Sequence, residues 1–145
     1  MGLFDKSPAK TAVLLDGAEA FAAILVIAMA ADGYATEEEI RTLRSDLYRM
    51  QLFSRYDAEE MTKLLEKLLH LLQKKGTEAL FEGARNSLPP DLRDTAYAVA
   101  ADLVLSDGTF AEEEKEFLDR LAAGLGVESE LAEMLVKAMV IKNKG

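Results

Sequence analysis

The sequence predicts an all-α protein built as one bundle of seven to eight helices. Three observations carry this. The chain is rich in Ala, Leu and Glu with only 3 Pro in 145 residues, a composition that favours helix and supplies few breakers. Apolar residues recur at intervals of three and four along most of its length. The stretch DGYATEEE, from Asp32 to Glu39, is written again as DGTFAEEE from Asp107 to Glu114. Aligned through Leu43 and Leu118, six of twelve positions are identical, more than two unrelated helix junctions would share. Each copy follows an apolar segment, AFAAILVIAMAA in one case and TAYAVAADLVLS in the other. The expected architecture is therefore two pseudo-symmetric three-helix repeats, about 15–75 and about 91–142. A linker helix joins them and a short arm, 1–10, precedes them.

In chain order, the arm holds Leu3 and Phe4 before the breaker Pro8. A helix over about Gly17 to Ala31 follows, with Phe21, Ile24, Leu25, Ala28 and Met29 at helical spacing. Gly33 suits a left-handed stop. Thr36 and Glu39 form a capping-box pattern, opening a helix to about Met50 that carries Ile40, Leu43, Leu47 and Met50 inward. Asp57 and Glu60 repeat the pattern. They open a third helix with Met61, Leu64, Leu65, Leu68, Leu69 and Leu72 on its apolar face. Lys74, Lys75 and Gly76 are suited to its end.

Residues 77–86 read as the connecting helix, stopped by Leu88-Pro89-Pro90. Asp91 is expected to cap the second apolar helix, built on Ala98, Ala101, Leu103 and Leu105 and stopped by Gly108. A partner helix spans Glu112 to about Leu121, with Gly124 and Gly126 in the following turn. Ser129 is the expected cap of the last helix, whose stripe is Leu131, Met134, Leu135, Ala138 and Met139, before a frayed IKNKG tail. Packing the two halves face to face would bury both apolar helices.

Composition narrows the function classes. With 17 Lys plus Arg against 26 Asp plus Glu, the net charge is −9, which argues against a nucleic-acid backbone as partner. It leaves cations, basic protein surfaces or solubility. The absence of Cys removes disulfides, thiolate zinc sites and a cysteine nucleophile, and a single His70 cannot build a multi-histidine metal site. The apolar run at 20–31 falls well short of the ~20 residues a spanning helix needs, so the chain is read as cytoplasmic. Asp102, midway along an apolar helix, calls for an ion pair with Arg93 or Arg120, or for exposure.

The acidic turns divide into two parts. Gly33, Thr36 and the glutamates suit helix stopping and starting. Asp32 and Asp107 do not, because a carboxylate at a helix C-terminus opposes the dipole at a cost of roughly 0.3–1 kcal/mol. The second copy keeps all three glutamates although Ala111 stands where Thr36 caps the first. The D-G-x5-E spacing matches the later half of an EF-hand loop. In that register Ala28 and Ala30, or Leu103 and Leu105, would occupy ligand positions, so an EF-hand is excluded. Asp32, Glu39, Asp107 and Glu114 remain as candidate oxygen ligands for a hard divalent cation, Ca²⁺ or Mg²⁺.

With AADGYATEEEI and LSDGTFAEEEKEFL on the page, followed by LAAGLGV, the chain resembles the tellurite-resistance protein B (TerB)-like family from about Thr11 to Lys142. The resemblance implies a pseudo-symmetric helical domain whose acidic residues bind metal ions; by motif position these are Asp32, Glu39, Asp107 and Glu114. It implies a role in tellurite resistance and chemical stress, in protein complexes that include membrane partners at the inner face of the membrane. Ser106 replaces Ala31 before the second Asp-Gly. The expected function is a non-catalytic, cation-binding adaptor. A metal-independent acidic docking module and a metal-dependent hydrolase are the competing readings. No nucleophile constellation or Gly-rich phosphate loop supports the last of these.

Overall fold

The computed structural model describes residues 12–31 and 36–144. Among these it contains seven α-helices, two short 3₁₀ turns and no strand. The chain divides between Leu88 and Pro89 into two compact units. The N-terminal arm and the Asp32–Gly33 turn lie outside the described residues.

In the first unit, α1 (Gly17–Met29) is held at its start by a capping box. The Glu19 amide donates to Asp16 Oδ1 at 2.8 Å and the Asp16 amide to Glu19 Oε1 at 2.9 Å. Glu19 also accepts from Lys67 Nζ at 2.6 Å. Every residue from Ala20 to Met29 is buried, so this helix has no solvent face beyond its first turn. Each large apolar side chain so buried contributes roughly 1.5–3 kcal/mol relative to exposure.

The α1 helix finds its partners within its own unit, in α2 (Glu37–Tyr48), α3 (Ala58–Lys75) and α4 (Thr77–Ser87). This corrects the role expected of residues 77–86. The α4 helix is the main neighbour of α1 rather than a mere connector, and it buries Leu80, Phe81 and Ala84. Its Gly83 sits against Val13, where an added Cβ would lie 2.5 Å from the Val13 carbonyl oxygen. Only a glycine lets the segment before α1 approach so closely.

The helix starts of this unit agree with their local signals. Thr36 and Glu39 form a complete capping box at α2, and Asp57 and Glu60 another at α3. Lys74 and Lys75 lie in the last turn of α3 and Gly76 follows at φ +91°. Met61, Leu64, Leu65 and Leu68 are buried, Leu69 and Leu72 are half-buried, and His70 is exposed. The α2 helix buries Leu43 and Leu47 but ends at Tyr48, leaving Ile40 and Met50 half-buried. A 3₁₀ turn, Gln51–Phe53, then carries Phe53 into the core. There its ring meets Phe21 edge-on at 6.4 Å and Tyr56 at 5.3 Å between centroids, a favourable aromatic geometry.

In the second unit, α5 (Arg93–Val104) contacts both α6 (Glu112–Leu125) and α7 (Ser129–Lys142). Asp91 does not cap α5. Pro90 opens a 3₁₀ turn, Pro90–Leu92, that places Asp91 inside it, and Leu92 precedes the helix without a side-chain cap. The buried face of α5 is Ala96, Tyr97, Ala100 and Ala101, continued by Leu105, while Ala98 and Leu103 are half-buried. The α6 helix runs to Leu125 with Gly124 inside it. Gly126 alone makes the stop, at φ +76° in the left-handed region. The Val127 amide donates to Ala122 O at 2.9 Å and buries its side chain behind the turn, as a Schellman-type ending requires.

Three expectations for α7 are corrected. Glu128 is the N-cap residue and Ser129 is already helical, so Ser129 does not cap. The inward face is Ala132, Leu135, Val136, Met139 and Val140, turned away from the anticipated stripe, which leaves Met134 65% exposed. The end is tied rather than frayed. Asn143 Nδ2 donates to Asp102 Oδ1 at 2.8 Å, and Lys142 Nζ lies 3.3 Å from the same oxygen. Asp102 is therefore paired from α7, not by Arg93 or Arg120.

Candidate functional site

The second Asp-Gly turn lies wholly within the described residues and shows what its sequence does. After Val104 the chain leaves helical geometry, and the Gly108 amide donates to Leu105 O at 3.0 Å. Gly108 has φ +80°, a conformation that costs other residues strain. A Cβ there would also sit 2.9 Å from the Asn143 carbonyl oxygen, so the turn lies close against the end of α7.

Asp107 is exposed at the outer side of this turn. Its Oδ1 accepts two hydrogen bonds from Thr109, one from the amide at 3.0 Å and one from Oγ1 at 2.9 Å. These bonds to the ionised form hold its carboxyl below the ordinary carboxylate range despite a small opposing contribution from desolvation. Asp107 is thus an anchored anion facing solvent. The sequence did contain this signal: Asp with Thr two residues on is an Asx-turn pattern.

Glu114 has a different task. Ala111 adopts N-cap geometry, φ −75° and ψ 158°, but has no side-chain acceptor. Glu114 Oε1 supplies the remaining half of the box by accepting from the Ala111 amide at 2.8 Å. Glu39 does the same at the first turn, accepting from the Thr36 amide at 3.0 Å while the Glu39 amide donates to Thr36 Oγ1 at 3.1 Å. Both glutamates therefore commit an oxygen to a helix start. Glu37, Glu38, Glu112 and Glu113 are exposed at the same two N-termini, where the dipole favours them.

Of the four residues singled out in the sequence, Asp107 and Glu114 flank one connection in the second unit, and Glu39 belongs to the first. Asp32 lies outside the described residues. Among the described residues no group of three or more His, Asp or Glu side chains is gathered as a metal cage. What the second turn offers a cation is one oriented carboxylate with a half-committed glutamate following it. Among the described residues no helix is long and apolar enough to cross a membrane.

The sequence model of the family described as tellurite resistance protein TerB matches residues 18–135, which takes in α1 through the first half of α7. Neither the curated proteins nor the solved structures give a match to the chain. The family match spans both Asp-Gly turns and most of the sequence, and on that ground the chain belongs to the TerB tellurite-resistance family.

Proposed function

We propose that this chain is a non-catalytic stress-response domain that binds divalent cations at its Asp-Gly turns and serves as an adaptor in a larger protein complex. Family membership supports the link to tellurite resistance and stress. The observation that carries the cation reading is Asp107, a solvent-facing carboxylate kept ionised and oriented by Thr109. A hard cation suits such an oxygen donor and would keep much of its water shell there, as Mg²⁺ and weakly held Ca²⁺ do. Asp32 stands at the same place in the other copy of the motif. Glu39 and Glu114, each with one oxygen on a helix start, would lend the second to the ion.

Calorimetric titration of Ca²⁺ and Mg²⁺ into the wild type, Asp32→Asn, Asp107→Asn and the double variant tests this. Heat in the wild type that falls with each substitution supports the reading, and a wild type without heat ends it.

The adaptor role rests on the two exposed acidic helix starts, Glu37 with Glu38 and Glu112 with Glu113, which suit basic surfaces of partner proteins. A membrane protein of the stress complex is the partner class in view, placing the domain at the inner face of the membrane without spanning it. The same exposed glutamates favour a second reading, docking that needs no metal. Capture of partners from lysate with and without chelator separates the two. Loss on chelation supports the metal-linked adaptor, and retention supports plain electrostatic docking. Turnover on a phosphoester panel would overturn both in favour of a hydrolase.

A further inference from the structure

The second Asp-Gly turn is shaped by the end of α7 as well as by its own residues. Asn143 is the C-cap residue of that helix. Its Nδ2 donates to Asp102 Oδ1 at 2.8 Å and to Met139 O at 3.0 Å, so one side chain ties α7 to α5. The carbonyl oxygen of the same residue is left against Gly108, 2.9 Å from where a Cβ would stand. The Lys144 Cα lies 3.9 Å from that point. Backbone thus meets backbone at the one residue of the turn that has no side chain.

That backing matters because of what Gly108 is. A glycine reaches φ +80° without strain, but nothing in its own chemistry confines it there. The bonds that orient Asp107 come from the next residue, through the Thr109 amide and hydroxyl. When Gly108 leaves its angles, the Thr109 amide swings away from Asp107 Oδ1. Both bonds are exposed to water, and exposed local bonds open readily on their own. The contact with Asn143 supplies the constraint they lack.

We propose that Asn143, tied by Asp102, is a positioning residue for the second turn, a clasp whose closure holds Asp107 in its ion-ready orientation. The clasp itself stands on these contacts, and its effect on binding rests on the cation reading of Asp107. Coupling of this kind is reciprocal. By whatever factor the closed clasp favours the ion, the ion favours the closed clasp. The end of α7 therefore responds to occupancy of a turn that precedes it by the whole of α6 and α7.

Two variants separate positioning from plain electrostatics. Asn143→Ala cuts the clasp without altering any charge. Asp102→Asn removes a charge but leaves an amide oxygen to accept from Asn143 Nδ2. Without ions, solvent exchange of the Thr109 amide, read by NMR, should be several-fold faster in Asn143→Ala and little changed in Asp102→Asn. Titration with Ca²⁺ at ~0.15 M salt, followed at the Thr109 amide, reads this turn and not the first. The dissociation constant should rise about fivefold or more in Asn143→Ala, the low end of couplings between sites, with Asp102→Asn nearer the wild type. Saturating Ca²⁺ should slow exchange of the Asn143 amide in the wild type by a matching factor. Circular dichroism identical to wild type shows that the variants are folded. Thr109 exchange that Asn143→Ala leaves unchanged overturns the clasp. Faster exchange with an unchanged Ca²⁺ affinity overturns its coupling to the ion. A wild type whose Thr109 amide ignores Ca²⁺ overturns the cation reading and the coupling with it, while the ion-free exchange still decides the clasp.

Discussion

Replacing Gly83 by alanine sets two well-understood effects against each other. In the interior of an ordinary helix the change is stabilising, by roughly 1 kcal/mol, because alanine restricts the unfolded chain and favours helix. In α4 the new Cβ would sit 2.5 Å from the Val13 carbonyl oxygen and 2.9 Å from the Val13 Cβ. Real Cβ contacts are not that short, so the segment before α1 must move. Overpacking of this kind costs about 1–3 kcal/mol. Displacing Val13, which is only 8% exposed, forfeits up to about 1.5–3 kcal/mol of burial. The clash outweighs the propensity gain, and Gly83→Ala should lose roughly 1–2 kcal/mol, lowering Tm by about 4–10 °C. Thermal and urea unfolding followed by circular dichroism measures this. Adding Val13→Ala should recover only part of the loss, because the nearest obstacle is a backbone oxygen. A Gly83→Ala protein as stable as wild type, or more so, would refute the close approach of this segment to α4.

Four further outcomes follow from the helix ends and the second core. Ala111 already has the backbone angles of a capping residue, so Ala111→Thr should complete its box and add about 0.5–1 kcal/mol. Thr36→Ala should remove a similar amount, with both changes read from urea midpoints. Asp102→Ala should free Lys142 and Asn143 and speed amide exchange in the last turn of α7, leaving α3 exchange unaltered. Burial pushes the Tyr97 hydroxyl up to about 12, with Asp119 adding to the shift. In the unfolded chain it ionises near the ordinary value of ~10. The folded form therefore holds the proton longer, and this contribution is intact below ~10 and lost as pH rises toward 12. Tyr97→Phe should flatten the fall in stability across that alkaline window, measured by denaturant unfolding at stepped pH.

What could be read from sequence was local. Asp57 with Glu60 and Thr36 with Glu39 announce their helix starts because both halves of each box lie within four residues. The end of α3 was equally legible in Lys74, Lys75 and Gly76. What failed depended on distant partners. Asp102 needed its partners on α7, which no local pattern supplies. The α7 helix is apolar on most of its circumference, so periodicity allowed several faces, and packing against α5 and α6 chose the one through Ala132 and Val136. Asp91 and Ser129 have the right chemistry for caps, but each lies one position away from the residue at the cap place, Leu92 and Glu128. At the candidate site, the Asp-Gly pattern identified the turn but not the division of labour within it. The pattern puts Glu39 and Glu114 on equal terms with the aspartates as ligands. Their first allegiance is to backbone amides, and Asp107 alone among the described three is oriented toward solvent.

The burial of α1 has a consequence for how the chain is made. Its main neighbour, α4, begins at Thr77, 48 residues after α1 ends at Met29 (77 − 29). A ribosome adding ~5–20 residues per second needs roughly 2–10 s to deliver that partner. During this interval a helix apolar on nearly every side is covered only by α2 and whatever part of α3 has emerged. Collapse within the nascent chain takes microseconds, so the delay is set by translation rather than by folding. The first unit is thus most exposed to misassociation while its own last helix is still being translated.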